Sequence, residues 1–168
     1  KIAWYENNGN QEFNEYIISS NASIAWDVFS IDLDSDGDID VLSASGGDNK
    51  IAWYENDGSE LFVEHIISST AMSAHSVFAI DIDMDNDIDV LSASSGDDKI
   101  SLYKNDGNQN FIEHIISDTA LNAFNVRASD IDGDGDIDIL SASGMDNKIS
   151  WYENTLIDEL SGDLNEDG

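Results

Sequence analysis

The chain has no cysteine and only six lysines and arginines among its 168 residues. Without cysteine there is no disulfide framework and no thiol redox chemistry; metal clips are the cross-links still open to it. The cationic side chains face 36 aspartates and glutamates, so the net charge is 6 − 36 = −30. That balance argues against nucleic acid or an anionic membrane surface as partner, since both are polyanions. No stretch approaches the about eighteen apolar residues of a membrane span, and no signal peptide is visible. Helical periodicity is missing too: nowhere do apolar residues recur at i, i+3, i+4 and i+7 over a helix-length window. The sequence opens on Lys1-Ile-Ala-Trp-Tyr, without Met and in the middle of a pattern, which reads as a mature or excised segment.

What is present is a repeat. Lys1-Ile-Ala-Trp-Tyr-Glu-Asn7 returns as Lys50-Ile-Ala-Trp-Tyr-Glu-Asn56, Lys99-Ile-Ser-Leu-Tyr-Lys-Asn105 and Lys148-Ile-Ser-Trp-Tyr-Glu-Asn154. Residues 1–49 and 50–98 agree, by direct count without a gap, at 32 of 49 positions. Composition bias cannot produce such agreement, because the matches include Trp, Tyr and Phe as well as Asp. Three full copies and the start of a fourth therefore follow one another with a period of 49 residues.

Each copy holds four strand-like segments. In the second, Ile51-Ala-Trp-Tyr-Glu alternates and ends at Asn56-Asp-Gly58, a hairpin turn signal because Asn/Asp-Gly tolerates positive φ. Phe62-Val-Glu-His-Ile-Ile67 is the return strand, rich in β-formers. A polar connection leads to Val77-Phe-Ala-Ile80, then an acidic loop, then Ile88-Asp-Val-Leu-Ser-Ala93. Four antiparallel strands in this length are the signature of a β-propeller blade, so the fold class is all-β. With 40% apolar residues the chain can bury a substantial core. Closed rings have about four to eight blades. Three copies are expected to belong to a larger ring or to close by self-association.

The acidic loop has the same form three times. It is best seen as Asp130-Ile-Asp-Gly-Asp-Gly-Asp-Ile-Asp138, with copies at residues 32–40 and 81–89. Carboxylates so close together repel unless a hard cation sits among them, and this oxygen pattern suits calcium. The expected side-chain ligands are Asp32, Asp34, Asp36 and Asp40; Asp81, Asp83, Asp85 and Asp89; and Asp130, Asp132, Asp134 and Asp138. Asp38, Asp87 and Asp136 are expected to add backbone carbonyls. Gly37 and Gly135 suit the sharp turn at position six, and Asn86 replaces them in the second loop, which is expected to bind somewhat more weakly. The sequence argues against an EF-hand, because position twelve is Ser43, Ser92 or Ser141 and the flanks read as strands. Magnesium keeps its water too firmly for such a cage, and transition metals would want His or Cys nearby. Three calcium ions would cancel only six of the negative charges, so most of the excess lies on solvated surface.

Asp-x-Asp-x-Asp-Gly-Asp-x-Asp between strands, with Ile-Ala-Trp-Tyr-Glu-Asn-Asp-Gly and Phe-x-Glu-His-Ile-Ile, resembles the FG-GAP/VCBS repeat family over residues 1–154. It is similar in plan to the calcium-bearing blades of integrin α-subunit heads. The resemblance implies a β-propeller, often of about seven blades, with calcium in the loop joining the first two strands of a blade. It also implies an extracellular, secreted or cell-surface location and a role in adhesion, ligand binding or scaffolding. After Asn154 the pattern breaks. Residues 155–168, ending Gly162-Asp-Leu-Asn-Glu-Asp-Gly168, read as an acidic linker or as the start of a dockerin-like calcium module.

Other positions divide between packing and recognition. Trp4, Trp53 and Trp151 share their position with Leu102, and Tyr5, Tyr54, Tyr103 and Tyr152 share another; both read as blade packing. His65 and His114 stand where Tyr16 stands, which also reads as structural. The connection before each first blade strand varies inside an otherwise repetitive chain, and there Trp26, His75 and Phe124 suit an aromatic rim for a sugar or protein ligand. Unconstrained loops would look the same, and both readings stand. Arg127 replaces Phe29 and Phe78 and is expected to pair with a carboxylate. No Ser/His/Asp or Cys/His arrangement can be assembled and no phosphate loop follows a strand, so the reading leans away from an enzyme. The expected function is a calcium-stabilised binding, adhesion or scaffold module. The alternatives are the propeller of a secreted carbohydrate-active lyase or hydrolase, or a self-assembling repeat.

Overall fold

A computed structural model of the chain describes residues 1–154. The expected linker or dockerin-like start at residues 155–168 lies outside the described residues. Thirteen strands follow in order: β1 (Ile2–Asn7), β2 (Phe13–Ser19), β3 (Ala25–Ile31), β4 (Asp40–Ser45), β5 (Lys50–Asn56), β6 (Phe62–Ser68), β7 (Ala74–Ile80), β8 (Asp89–Ser94), β9 (Lys99–Asn105), β10 (Phe111–Ser117), β11 (Ala123–Ser129), β12 (Asp138–Ser143) and β13 (Lys148–Tyr152). They form antiparallel sheets in the orders β1-β2, β3-β4-β5-β6, β7-β8-β9-β10 and β11-β12-β13. Two complete four-stranded blades are thus flanked by the outer half of one blade and three strands of another. The blade and the sequence repeat are out of phase by two strands, because each Lys-Ile-Ala-Trp-Tyr segment is the third strand of its blade.

The turns follow from local chemistry. Between β5 and β6, Asn56 Oδ1 accepts the Gly58 N–H at 3.2 Å and Asp57 Oδ1 accepts the Ser59 N–H at 2.9 Å, and Gly58 takes φ +77°. That geometry places Asn56 opposite Phe62 and sets the register of the whole outer hairpin.

Each blade presents one apolar face to the next. Leu42, Ala44 and Ile51 of one blade pack with Ala74, Val77 and Ala79 of its neighbour, and Leu91, Ala93 and Ile100 pack with Ala123 and Val126 of the next. The first strands β3, β7 and β11 lie side by side, which makes them the innermost strands of the array. Polar links also bridge the blades: Asn49 Oδ1 accepts the Ser73 N–H at 2.9 Å, and Asp98 Oδ1 accepts the Asn122 N–H at 2.6 Å. Where the array ends, the same repeat position meets different surroundings. Ile51 and Ile100 are 0% exposed, whereas Ile149 at the same repeat position is 86% exposed.

Candidate metal centres and an aromatic face

Every innermost strand carries an acidic loop at one end and an aromatic residue at the other. Seven residues of strand at about 3.3 Å each put the two some 20 Å apart, so the loops and the rings occupy opposite ends of the blades.

In the acidic loops the structure gathers Asp32, Asp34 and Asp36; Asp81, Asp83 and Asp85; and Asp130, Asp132 and Asp138, with carboxylate oxygens within 4.8 Å of one another in each group. The loops fold as nested Asx turns. Asp36 Oδ1 accepts the Asp38 N–H at 2.8 Å, Asp85 Oδ1 that of Asp87 at 3.0 Å, and Asp134 Oδ1 that of Asp136 at 2.9 Å. Asp32 Oδ2 reaches forward to the Gly37 N–H at 3.1 Å, and Asp81 Oδ2 to the Asn86 N–H at 3.0 Å. The donor set is all oxygen. Asp32 Oδ1 and Asp83 Oδ1 are shielded from solvent yet accept no hydrogen bond among the described residues. A buried carboxylate oxygen without a donor is costly, and a hard cation among these carboxylates would satisfy it. The residues present therefore fit calcium, and the three carboxylates of each group are the ones that would hold it.

The ninth loop residue does something the sequence did not disclose. Asp40 is fully buried, and its two oxygens accept the N–H of Leu33 at 3.0 Å and of Asn56 at 2.8 Å. Asp89 does the same with Ile82 at 3.3 Å and Asn105 at 2.8 Å, and Asp138 with Ile131 at 3.1 Å and Asn154 at 2.9 Å. Each carboxylate ties its loop to the end of the third blade strand, sixteen residues away. Burial is the largest influence on Asp89 and pushes its carboxyl up to about 6, against the two N–H groups that favour the charged form. Asp40 is raised for the same first reason. Asp138, in the last described blade, is lowered instead, chiefly by the Asn154 N–H. The invariant Asn at the third strand's end was the available signal. Asn56, Asn105 and Asn154 each also donate from Nδ2 to a loop carbonyl, those of Ile39, Ile88 and Ile137, at 3.2 Å.

At the other end of the inner strands the three variable residues meet. Trp26 and His75 stack with ring centroids 4.6 Å apart at 19°, and His75 meets Phe124 edge to face, also at 4.6 Å. Trp26 and Phe124 remain exposed. Room for the large rings comes from glycine: a Cβ on Gly46 would lie 2.8 Å from Trp26 Nε1, and one on Gly144 2.8 Å from Phe124 Cε2. Beside the smaller His75 the equivalent residue is Ser95. Burial lowers the His75 pKa, so this ring favours its neutral form.

A polar row runs beneath the rings. Asp27 Oδ2 accepts from Ser76 Oγ at 2.9 Å and the Val77 N–H at 3.1 Å, and Asn125 Nδ2 donates to Ser76 Oγ at 3.3 Å. Arg127 corrects an expectation. It forms no ion pair with a carboxylate among the described residues; Nη1 donates to Ser76 Oγ at 3.3 Å and to the Val126 carbonyl at 2.7 Å, and the guanidinium lies 5.5 Å from the Phe78 ring centroid. The arginine thus extends the ring contact that Phe29 and Phe78 make at 4.9 Å.

The outer hairpins show why Tyr and His exchange at one position. Tyr16 stacks on Trp4 and donates to Glu6 Oε2 at 3.1 Å, while His65 stacks on Trp53 and lies 2.7 Å from Glu55 Oε2. Either side chain offers a ring and a hydrogen-bonding edge.

Comparison with known proteins agrees with this geometry. The FG-GAP-like repeat family model matches residues 32–92 and again 81–141. Among solved structures the chain is similar to an Agrocybe aegerita lectin, described by its specific recognition of non-reducing terminal N-acetylglucosamine, with a TM-score of 0.56 and 17% identity. The alignment covers 83% of this chain and 41% of the lectin, so the chain spans well under half that protein's length. Comparison with curated proteins gives no match.

Proposed function

The chain belongs to the FG-GAP-like repeat family, and from that premise we propose that residues 1–154 are a calcium-stabilised segment of a β-propeller that acts as a binding or scaffold module outside the cell. Calcium in the acidic loops clips each inner strand to its neighbour, and recognition takes place at the opposite end of the blades. The observation that carries the reading is the continuous Trp26–His75–Phe124 contact across three blades. Three rings in a row, the outer two exposed and His75 half-buried between them, above a polar row of Asp27, Ser76 and Asn125, offer stacking faces with hydrogen-bonding groups beside them. That combination suits a glycan or an aromatic-rich protein surface. In this reading further blades cover the two end faces of the array and complete a larger ring, and residues 155–168 form a separate linker or calcium module.

Two experiments test the two halves of the proposal. Trp26→Ala and His75→Ala should each weaken binding on a glycan array or to a captured protein partner while leaving thermal stability nearly unchanged. Unaltered binding in both variants removes the aromatic face from the proposal. Calcium should raise the melting temperature relative to chelator, with about 2.7 kcal/mol per site at a hundredfold excess over the dissociation constant. An unchanged midpoint would overturn the calcium assignment.

A further inference from the structure

The second acidic loop differs from its neighbours in its counter-charge. The third strand of each blade ends in Tyr, a charged residue and Asn, and the charged residue is Glu6, Glu55 and Glu153 in three copies but Lys104 in β9. Glu55 lines the same groove as Asp34 and adds to the negative charge around the first loop. Lys104 does the reverse. Its Nζ donates to Asp83 Oδ2 and stands 3.8 Å from Asp85 Oδ2, and both residues belong to the carboxylate group of the second loop.

The backbone of that loop is also the least suited to its own shape. Positions four and six take positive φ in all three loops. In the third they are Gly133 and Gly135, in the first Ser35 and Gly37, and in the second Met84 at 60° and Asn86 at 74°. A non-glycine residue there carries a steric cost of about 1–2 kcal/mol, so the second loop needs a compensating attraction most.

We propose that Lys104 is the built-in cation of the second loop, so that the chain holds two calcium ions tightly, in the first and third loops, and a third only weakly. This rests on the calcium reading above and deepens it. An ammonium on the neighbouring strand neutralises part of the loop charge without the loss of translational freedom that a free ion suffers, because the tether supplies a high effective concentration. An incoming dication must displace it from Asp83 and then meet its repulsion. The Lys104 side chain is 44% exposed, so it can swing out, which leaves the second site weak and not closed. The complete blade β7–β10 then stays formed at calcium concentrations at which the other loops have released their ions.

Calorimetric addition of calcium to the metal-stripped chain, with terbium luminescence in parallel, decides the matter. Two tight equivalents are expected, followed by a third weaker by about tenfold or more. Lys104→Glu, which installs the residue of the other copies, should give three tight equivalents, and Glu55→Lys should leave one. In chelator Lys104→Glu should lower the melting temperature, a readout that needs no metal. Three equal sites in the unaltered chain, or a Lys104→Glu variant that is folded by circular dichroism yet still binds two, would overturn the role of Lys104 while leaving the calcium reading intact. A folded chain that binds no calcium at any loop overturns the calcium reading, and this inference with it.

Discussion

Asp40, Asp89 and Asp138 show how one residue type can serve two purposes within nine positions. In the first two loops the first, third and fifth aspartates turn toward one another, and in the third loop Asp138 joins Asp130 and Asp132 in place of Asp134; in all three the ninth accepts two backbone N–H groups. Asp40→Ala should strand the Leu33 and Asn56 donors in a buried site and cost about 2–4 kcal/mol by urea denaturation, even in chelator. The pH dependence has a definite sign. Because the Asp89 carboxyl sits near 6 in the folded chain against an ordinary 3.8, the folded state binds more protons than the unfolded state between those values. Metal-free stability from this group is present at low pH and is lost as pH rises through that window. Plots of urea midpoint against pH should lose part of this slope in Asp89→Asn. Asp138 runs oppositely: its lowered carboxyl contributes stability that disappears as pH falls.

At the scale of the element, the acidic loop is a turn whose two left-handed positions fix what it tolerates. Gly135 adopts φ +102°, outside the range a Cβ accepts with ease. Gly135→Ala should therefore cost about 1–2 kcal/mol in a thermal melt, although nothing stands within 4 Å of the added methyl. The strand elements were legible from alternation and from the Asn-Asp-Gly turns, because both are local. That carboxylates of one loop gather was also legible, since they lie within nine residues of one another, but the entry of Asp138 into the third group in place of Asp134 was not. Nor was the role of the ninth aspartate, because its second partner is sixteen residues away across a strand that has to be paired first. The salt-bridge partner of Lys104 was hidden for the same reason, although its charge reversal against three glutamates was on view in the sequence.

For the whole molecule, the large negative charge opposes compaction, and screening should relieve it. In chelator the melting temperature should rise with sodium chloride, and a flat response would mean that the exposed carboxylates are too dispersed to matter. The open ends of the array make a second prediction. Trp53 is 4% exposed between two blades, whereas Trp151 is 47% exposed at the last described one. In the monomeric chain Trp53→Ala should cost about 3–5 kcal/mol, and Trp151→Ala much less. Equal costs by chemical denaturation would show that a further blade or a second copy covers Trp151 in solution.

The sequence by itself determined the period, the strands, the turn chemistry and the places where carboxylates cluster, because each depends on residues within a few positions of one another. Burial, contact between repeats and the identity of each charge's partner depended on the tertiary structure. Ile51 and Ile149 share their repeat position and nearly all of their local sequence and differ completely in exposure, since only stacking against a neighbour removes either from water. Trp26, His75 and Phe124 stand 49 residues apart in turn, and nothing in the chain between them requires their rings to touch. Side-by-side packing of the inner strands brings them together, and that packing is set by the apolar faces of whole blades.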